Sequence, residues 1–149
     1  MRAAFALLFA APLSFAAPVP KDFKPPPVVL TLSPAKSYII GAVMVVVTVR
    51  NNGRDELNVT HTGIPSEPFA VEIRDEKGRV VEYDIPESNS GLLGVSTERI
   101  PSGKSGNVYL ALHTGYFPNR VWPSGKLSVV IRLTHGERVY TSKPLVLGE

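Results

Sequence analysis

The histidines are the first residues of this chain that could do chemistry, because imidazole is both a common metal ligand and a general base. There are three of them, His61, His113 and His135. Each is predicted to lie in a different loop or turn, so no local cluster of metal ligands is predicted. We therefore expect three solvated histidines and no metal site.

Carboxylates, hydroxyls and glycine-rich loops provide no catalytic motif. Asp75 and Glu76 adjoin in a predicted hairpin turn, where their side chains point apart and cannot act as an acid and base pair. Residues 103–105 (GKS) would end a phosphate-binding loop, but that motif needs glycine where Glu98 stands, and a helix after it. With no Gly-x-Ser-x-Gly turn and no cysteine, we predict no catalytic residue, no cofactor and no enzyme activity.

The best candidate for a binding site is the loop from His113 to Pro123 (HTGYFPNRVWP). Aromatic and arginine side chains dominate binding hot spots, since they offer large contact areas and directional donors. We predict that a protein partner is bound by Tyr116, Phe117, Arg120 and Trp122. An alternative stays open for Phe117 and Trp122, which could instead fill one end of the fold beneath an exposed Tyr116 and Arg120.

A second candidate binding segment is the irregular stretch from Ser88 to Arg99, which is rich in serine, glycine and glutamate. Its Gly91 and Gly94 give the backbone the freedom that a binding loop needs. We predict no strand in residues 84–99.

The composition sets the limits within which these loops must be positioned. A chain of 149 residues is enough for one ordinary domain, and 44% hydrophobic residues are typical of a globular one. A net charge of +3, from 16 basic and 13 acidic residues, is too small to indicate a nucleic-acid partner. The absence of cysteine excludes a disulfide framework.

The N-terminus is predicted to direct export. Arg2 is followed by the apolar run Ala3–Leu13 and by Ser14-Phe15-Ala16, which is typical of a signal peptide cleaved after Ala16, with cleavage after Ala17 as the alternative. The run is too short for a membrane span, so we expect a protein that is secreted or periplasmic. A buried N-terminal helix is the alternative. Residues 17–27, five of them proline, are predicted to form an extended tail before a single domain at 28–149.

The domain itself is predicted to consist of strands separated by turn signals. The predicted strands are Val28–Leu32, Ala42–Arg50, Leu57–Thr60, Phe69–Arg74, Val80–Tyr83, Asn107–Leu112, Lys126–Leu133 and Arg138–Leu147. No segment of the domain has a helical apolar period, so seven to eight antiparallel strands predict a two-sheet, immunoglobulin-like β-sandwich. Pro144 lies inside the last strand, which places it at a sheet edge or a bulge.

Alternation along these strands also predicts which side chains face the core. The residues expected to be buried are Val45, Val47, Phe69, Val71, Leu110, Val129 and Ile131. Glu72, between two inward positions, is expected to point to solvent.

Turn motifs punctuate the predicted strands: an apolar strand ends in VVVTVRNNG, a hairpin reads DEKGRVV, and IPSGKS and PSG lead into later strands. These motifs resemble those of bacterial immunoglobulin-like domains, and are similar to those of the intracellular proteinase inhibitor family. The resemblance covers Val28 to Leu147 and implies the sandwich fold. The signal peptide is a departure from an intracellular inhibitor.

Three loop segments occur in the order Asn58–Gly63 (NVTHTG), Gly91–Gly94 (GLLG) and Arg120–Pro123 (RVWP). This order resembles the three binding loops of chagasin-type inhibitors of cysteine peptidases. Val59 and Val121 stand where the inhibitors have proline.

Together these observations predict an exported, non-enzymatic module that binds an unidentified protein partner through its end loops. A secreted peptidase inhibitor using the same loops is the alternative.

Overall fold

The computed structural model describes residues 26–37, 39–85 and 94–148. The predicted signal peptide, most of the proline-rich tail and Gly91 lie outside the described residues. The strands are β1 Val28–Ala35, β2 Ala42–Asn51, β3 Leu57–His61, β4 Phe69–Arg74, β5 Ser96–Ile100, β6 Ser105–His113, β7 Leu127–His135, β8 Arg138–Thr141 and β9 Leu145–Leu147. No helix in these residues is long and apolar enough to cross a membrane.

The first sheet has the order β1-β2-β6, with every neighbour antiparallel. Its central strand β2 places Val45, Val47 and Val49 inward and Met44, Val46, Thr48 and Arg50 on the other face, which suits a half-buried strand. Arg50 is the one charged residue in the three strands, not counting His113.

The second sheet has the order β4-β7-β8, with β9 also paired to β7. Its outer face is charged. The Glu72 carboxylate accepts from Arg132 Nη2 and from Arg74 Nε, both at 2.7 Å. Hydrogen bonds from Arg132, and then from Arg74, hold the pKa of Glu72 below its usual range. Glu72 therefore faces outward as predicted, but it is engaged by two arginines rather than free in solvent.

The all-β sandwich is confirmed, with its core between the two sheets. Six of the seven residues predicted to be buried are at most 2% exposed, and the seventh, Val71, is partly buried and packs on the same core. The core positions follow from alternation because each strand has one face toward the other sheet.

A ribbon of β3 and β5 completes the fold, and it corrects the prediction that residues 84–99 hold no strand. β5 is polar, and its residues are exposed or partly exposed except for the buried Ile100, so it carries no apolar signal. It forms because its backbone pairs with β3, and the hydroxyls of Thr60 and Thr97 bond across the pair at 3.0 Å.

The predicted strand Val80–Tyr83 is wrong. Val80 makes only an isolated bridge to Arg74. The chain then leaves the sheet, because Tyr83 packs against the aromatic loop and Asp84 N donates to Tyr116 O at 2.9 Å.

The predicted C-terminal strand is two strands separated by a bulge. Arg132 pairs with Thr141, whereas Val129 pairs with Leu145, so three residues on one side oppose two on the other. Ser142 holds the bulge, since Ile131 N donates to its Oγ at 3.0 Å and Ser142 N donates to Ile131 O at 2.9 Å. The predicted position of Pro144, at an edge or bulge, is confirmed.

Candidate functional site

Two loops leave the first sheet side by side at the end where β2 begins. Ala42, the first residue of β2, pairs with His113, the last residue of β6. Beyond this pair, Thr114 N donates to Gly41 O at 2.7 Å. The loop before β2 and the predicted binding loop after β6 therefore form one surface, which we call the end surface (residues 39–41 and 113–123).

A short 3-10 turn, Thr114–Tyr116, begins the binding loop. His113 caps this turn, since its Nδ1 accepts a hydrogen bond from Gly115 N at 2.9 Å. Phe117 N donates to Thr114 O, and Arg120 N donates to Phe117 O at 2.9 Å. The loop is thus bonded turn by turn, which gives it a defined shape without a strand or helix.

Aromatic rings pack beneath this loop. The ring centroids of Phe117 and Trp122 are 5.2 Å apart, and those of Tyr83 and Phe117 are 5.0 Å apart, both edge to face. Tyr83 also contacts Tyr116 at 5.6 Å. Edge-to-face pairs are favourable because a positive ring edge meets a negative ring face. The loop therefore packs on a cluster of aromatic rings from Tyr83, Phe117 and Trp122, which we call the aromatic base.

Tyr83 is the member of this base that the sequence did not indicate. Its position was predicted to be in a strand, and nothing in the sequence separates it from a strand tyrosine. Burial raises the pKa of the Tyr83 hydroxyl, and the nearby backbone of His113 lowers it by less. Among the described residues this buried oxygen has no hydrogen-bond partner.

The four loop residues predicted to bind a partner are placed at different depths. Phe117 is buried and Trp122 is partly buried, both packed in or against the core, which matches their alternative role of filling the end of the fold. Tyr116, predicted to be exposed, is partly buried because Tyr83 and His113 flank its ring. Arg120 is exposed, with a left-handed φ of 52°.

The end surface also exposes aliphatic side chains that sequence reasoning missed. Ile40 is 96% exposed, Val121 is 64% exposed and Ile39 is 50% exposed. Hydrophobic residues that are scattered singly need no explanation, but here three lie on two loops joined by a hydrogen bond. The surface thus combines exposed apolar side chains with the Arg120 guanidinium.

Gly94, from the second candidate segment, is exposed, and a Cβ added to it would meet nothing within 4 Å. It lies just before β5, and Val95 beside it is 67% exposed. Because Ser96 pairs with His61, Gly94 lies near the end of β3.

The prediction of three solvated histidines holds for His135, which is exposed, but not for His113, which is partly buried, or for His61, which is buried. Each histidine ends a strand, and His61 is only 9% exposed; both of its ring nitrogens are buried and have no hydrogen-bond partner among the described residues. Burial lowers the pKa of His61, and the nearby charge of Glu98 raises it by less. Alternation explains the burial, since His61 follows Leu57 and Val59 on the inward face of β3.

Asp75 and Glu76 do point apart, as predicted for a hairpin tip. Asp75 accepts from the backbone nitrogens of Lys77 and Arg79 and forms an ion pair with Arg79 at 2.7 Å. Glu76 Oε1 accepts from Lys126 N at 2.8 Å. Both carboxylates therefore stabilise the local backbone by accepting hydrogen bonds from main-chain N–H groups.

Among the residues described, no group of three or more His, Asp or Glu side chains is placed to hold a metal ion. No protein-family model and no curated protein matches this chain.

Proposed function

We propose that this protein is an exported, non-enzymatic, immunoglobulin-like binding module that recognises a protein partner through its end surface. The observation that carries the proposal is the pairing of exposed Ile39, Ile40 and Val121 with exposed Arg120 on two bonded loops. A contiguous exposed apolar patch marks an interaction surface, and arginine is enriched among the residues that dominate protein binding.

The aromatic base supports this proposal because binding is more favourable when the loops are ordered beforehand. Each flexible side chain or loop that must be ordered on binding reduces the affinity. Phe117, Trp122 and Tyr83 fix the loop from below, so Arg120 and Val121 are presented on a rigid support.

The test is affinity capture from the periplasm or the medium of the source cell, followed by titration of the purified captured partner. We expect Arg120→Asn, which suits a positive φ, and Ile40→Ser each to weaken binding about tenfold or more. The matched controls are Arg54→Asn and Val80→Ser, which change exposed residues outside the end surface. Full affinity in both end-surface variants would disprove the proposal.

A peptidase inhibitor is the second candidate, and one placement favours it. Ser96 pairs with His61, and Gly63 O accepts from Ala111 N at 2.8 Å, two residues before His113. These two contacts bring the NVTHTG segment and Gly94 toward the end of β6, and the RVWP segment follows that same end. An inhibitor that binds through three loops requires the loops to lie close together in this way.

Assays against a panel of cysteine and serine peptidases distinguish the two candidates. If the protein inhibits a peptidase at micromolar concentration and Arg120→Asn relieves this inhibition, the inhibitor function is supported. If no peptidase of the panel is inhibited, the binding module is the function that stands.

A further inference from the structure

Within residues 26–37, 39–85 and 94–148, β1 pairs only with β2, and on its other edge three alternate residues direct their backbone groups away from β2. Asn52 N donates to Pro27 O at 2.7 Å, which makes this a hydrogen-bonded pair of the β1–β2 ladder. Hydrogen-bonded and non-bonded pairs alternate along an antiparallel ladder. Hence Val29, Thr31 and Ser33 bond to β2, and the N–H and C=O groups of Val28, Leu30 and Leu32 point away from it.

Prolines bracket this edge. Pro26 lies two residues before Val28 and Pro34 lies two residues after Leu32, and neither has an N–H group to donate. The stretch between these prolines that can pair through its backbone is therefore five residues long, about 16 Å at the usual rise of a strand. It carries no charged side chain, although charges are the common means by which edge strands avoid pairing.

The edge of β8 forms the other wall of the same groove. Ser142 N donates to Ile131 O, so Tyr140 and Arg138 also bond to β7, and the backbone groups of Val139 and Thr141 point outward. The groove between the two edges has a volume of about 690 Å³ and is lined by Pro26, residues 28–32, residues 139–141, Lys143 and Pro144.

We propose that this groove binds a short, extended, acidic peptide segment of another protein, which adds as a strand to the edge of β1. Strand addition obtains its affinity from main-chain hydrogen bonds and its specificity from alternate side chains. Lys143 supplies the charge preference, because it is the one charged residue among the described residues that line the groove. A carboxylate on the peptide therefore meets a cation and no competing acid.

The probe is a synthetic, acetylated octapeptide of alternating serine and valine with two glutamates at its C-terminus. Hydrogen exchange is followed by NMR on the ¹⁵N-labelled full chain. We expect the peptide to slow exchange at Val28, Leu30 and Leu32 at least fivefold, and to leave Val29 and Thr31 unchanged because they already bond to β2. The same peptide with N-methyl groups on every amide is the control, and it should protect nothing.

Two variants test the charge preference. Lys143→Glu should weaken binding of the acidic peptide at least threefold and favour a peptide in which lysines replace the glutamates. Lys77→Glu makes the same charge change at the exposed hairpin tip and should have no effect.

The proposal is overturned if the three amides exchange at the same rate with and without peptide. It is also overturned if they become protected without peptide as protein concentration rises, since a second copy would then occupy the edge. Protection confined to residues 113–123 would equally contradict it.

Discussion

Asn51 and Ile100 are joined by a buried hydrogen bond, in which Asn51 Nδ2 donates to Ile100 O at 2.9 Å. The same amide group donates to Asp55 O at 2.8 Å, and its Oδ1 accepts from Gly53 N at 2.9 Å. One side chain, 2% exposed, thereby links the end of β2, the following turn and the end of the ribbon strand β5.

Replacing Asn51 should therefore loosen the ribbon from the first sheet. Asn51→Ala leaves the buried Ile100 carbonyl without this donor, which typically costs about 1–3 kcal/mol of unfolding free energy. The measurement is urea unfolding. Asn58→Ala, at an exposed position of β3, is the control and should change the unfolding free energy by less than about 0.5 kcal/mol. Equal losses in both variants would contradict the linking role of Asn51.

The ribbon also depends on the absence of a side chain at Gly106. A Cβ there would lie 2.8 Å from Ile100 Cγ1, and Ile100 is 1% exposed and cannot move aside. Gly106→Ala should lower stability by about 1–3 kcal/mol, as overpacking does.

Gly94→Ala is the matched control, because the added methyl group meets nothing within 4 Å. Its melting temperature should stay within a few degrees of the wild type. A harmless Gly106→Ala would mean that β5 does not pack on β6 in this way.

The assignment of the core can be tested by making the same change, isoleucine to alanine, at one buried and one exposed position. Ile131→Ala removes a side chain that is 0% exposed and should cost about 2–5 kcal/mol, whereas Ile40 is 96% exposed and Ile40→Ala should be within about 0.5 kcal/mol of neutral. Chemical denaturation of both variants measures the difference. Similar losses would show that the inward face of β7 is assigned wrongly.

Stability should depend on pH through His61. Because burial lowers the pKa of His61 below 6.5 in the folded state, the unfolded chain binds a proton first as the pH falls. The contribution of neutral His61 is complete above pH 6.5 and is lost as the pH falls through 6.5 toward the folded pKa. Glu98, the charged group that faces His61, reduces this effect without reversing it.

The measurement is the urea midpoint between pH 8 and pH 5. We expect His61→Leu to flatten this pH dependence, and His135→Gln, at an exposed position, to retain the wild-type profile. A wild-type slope in His61→Leu would assign the effect to another group.

The sequence predicts those parts of the fold in which alternation and burial coincide. The valines of β2 and the apolar residues of β4 and β7 show a two-residue period because each strand has one face in the core. Strand β5 has no such period, since its pairing with β3 rests on backbone groups that every sequence carries. Periodicity therefore cannot reveal it.

The candidate site was predicted only in outline for a similar reason. Aromatic composition identifies the loop after β6, but the depth of each ring is set by partners distant in sequence. Tyr83 covers one side of Tyr116 from more than thirty residues away, and Gly41 brings Ile40 to the same surface. These contacts depend on tertiary packing, which no local pattern records.

The bulge at Ser142 divides the C-terminal strand into two phases. Before it, Tyr140 and Ser142 face inward at even positions, and after it, Leu145 and Leu147 face inward at odd positions. The extra residue thus switches the core-facing side chains from even to odd positions. Substitutions within the bulge leave this switch in place. The loss of a single residue there would turn the core-facing side chains of β9 toward solvent and its exposed side chains toward the core.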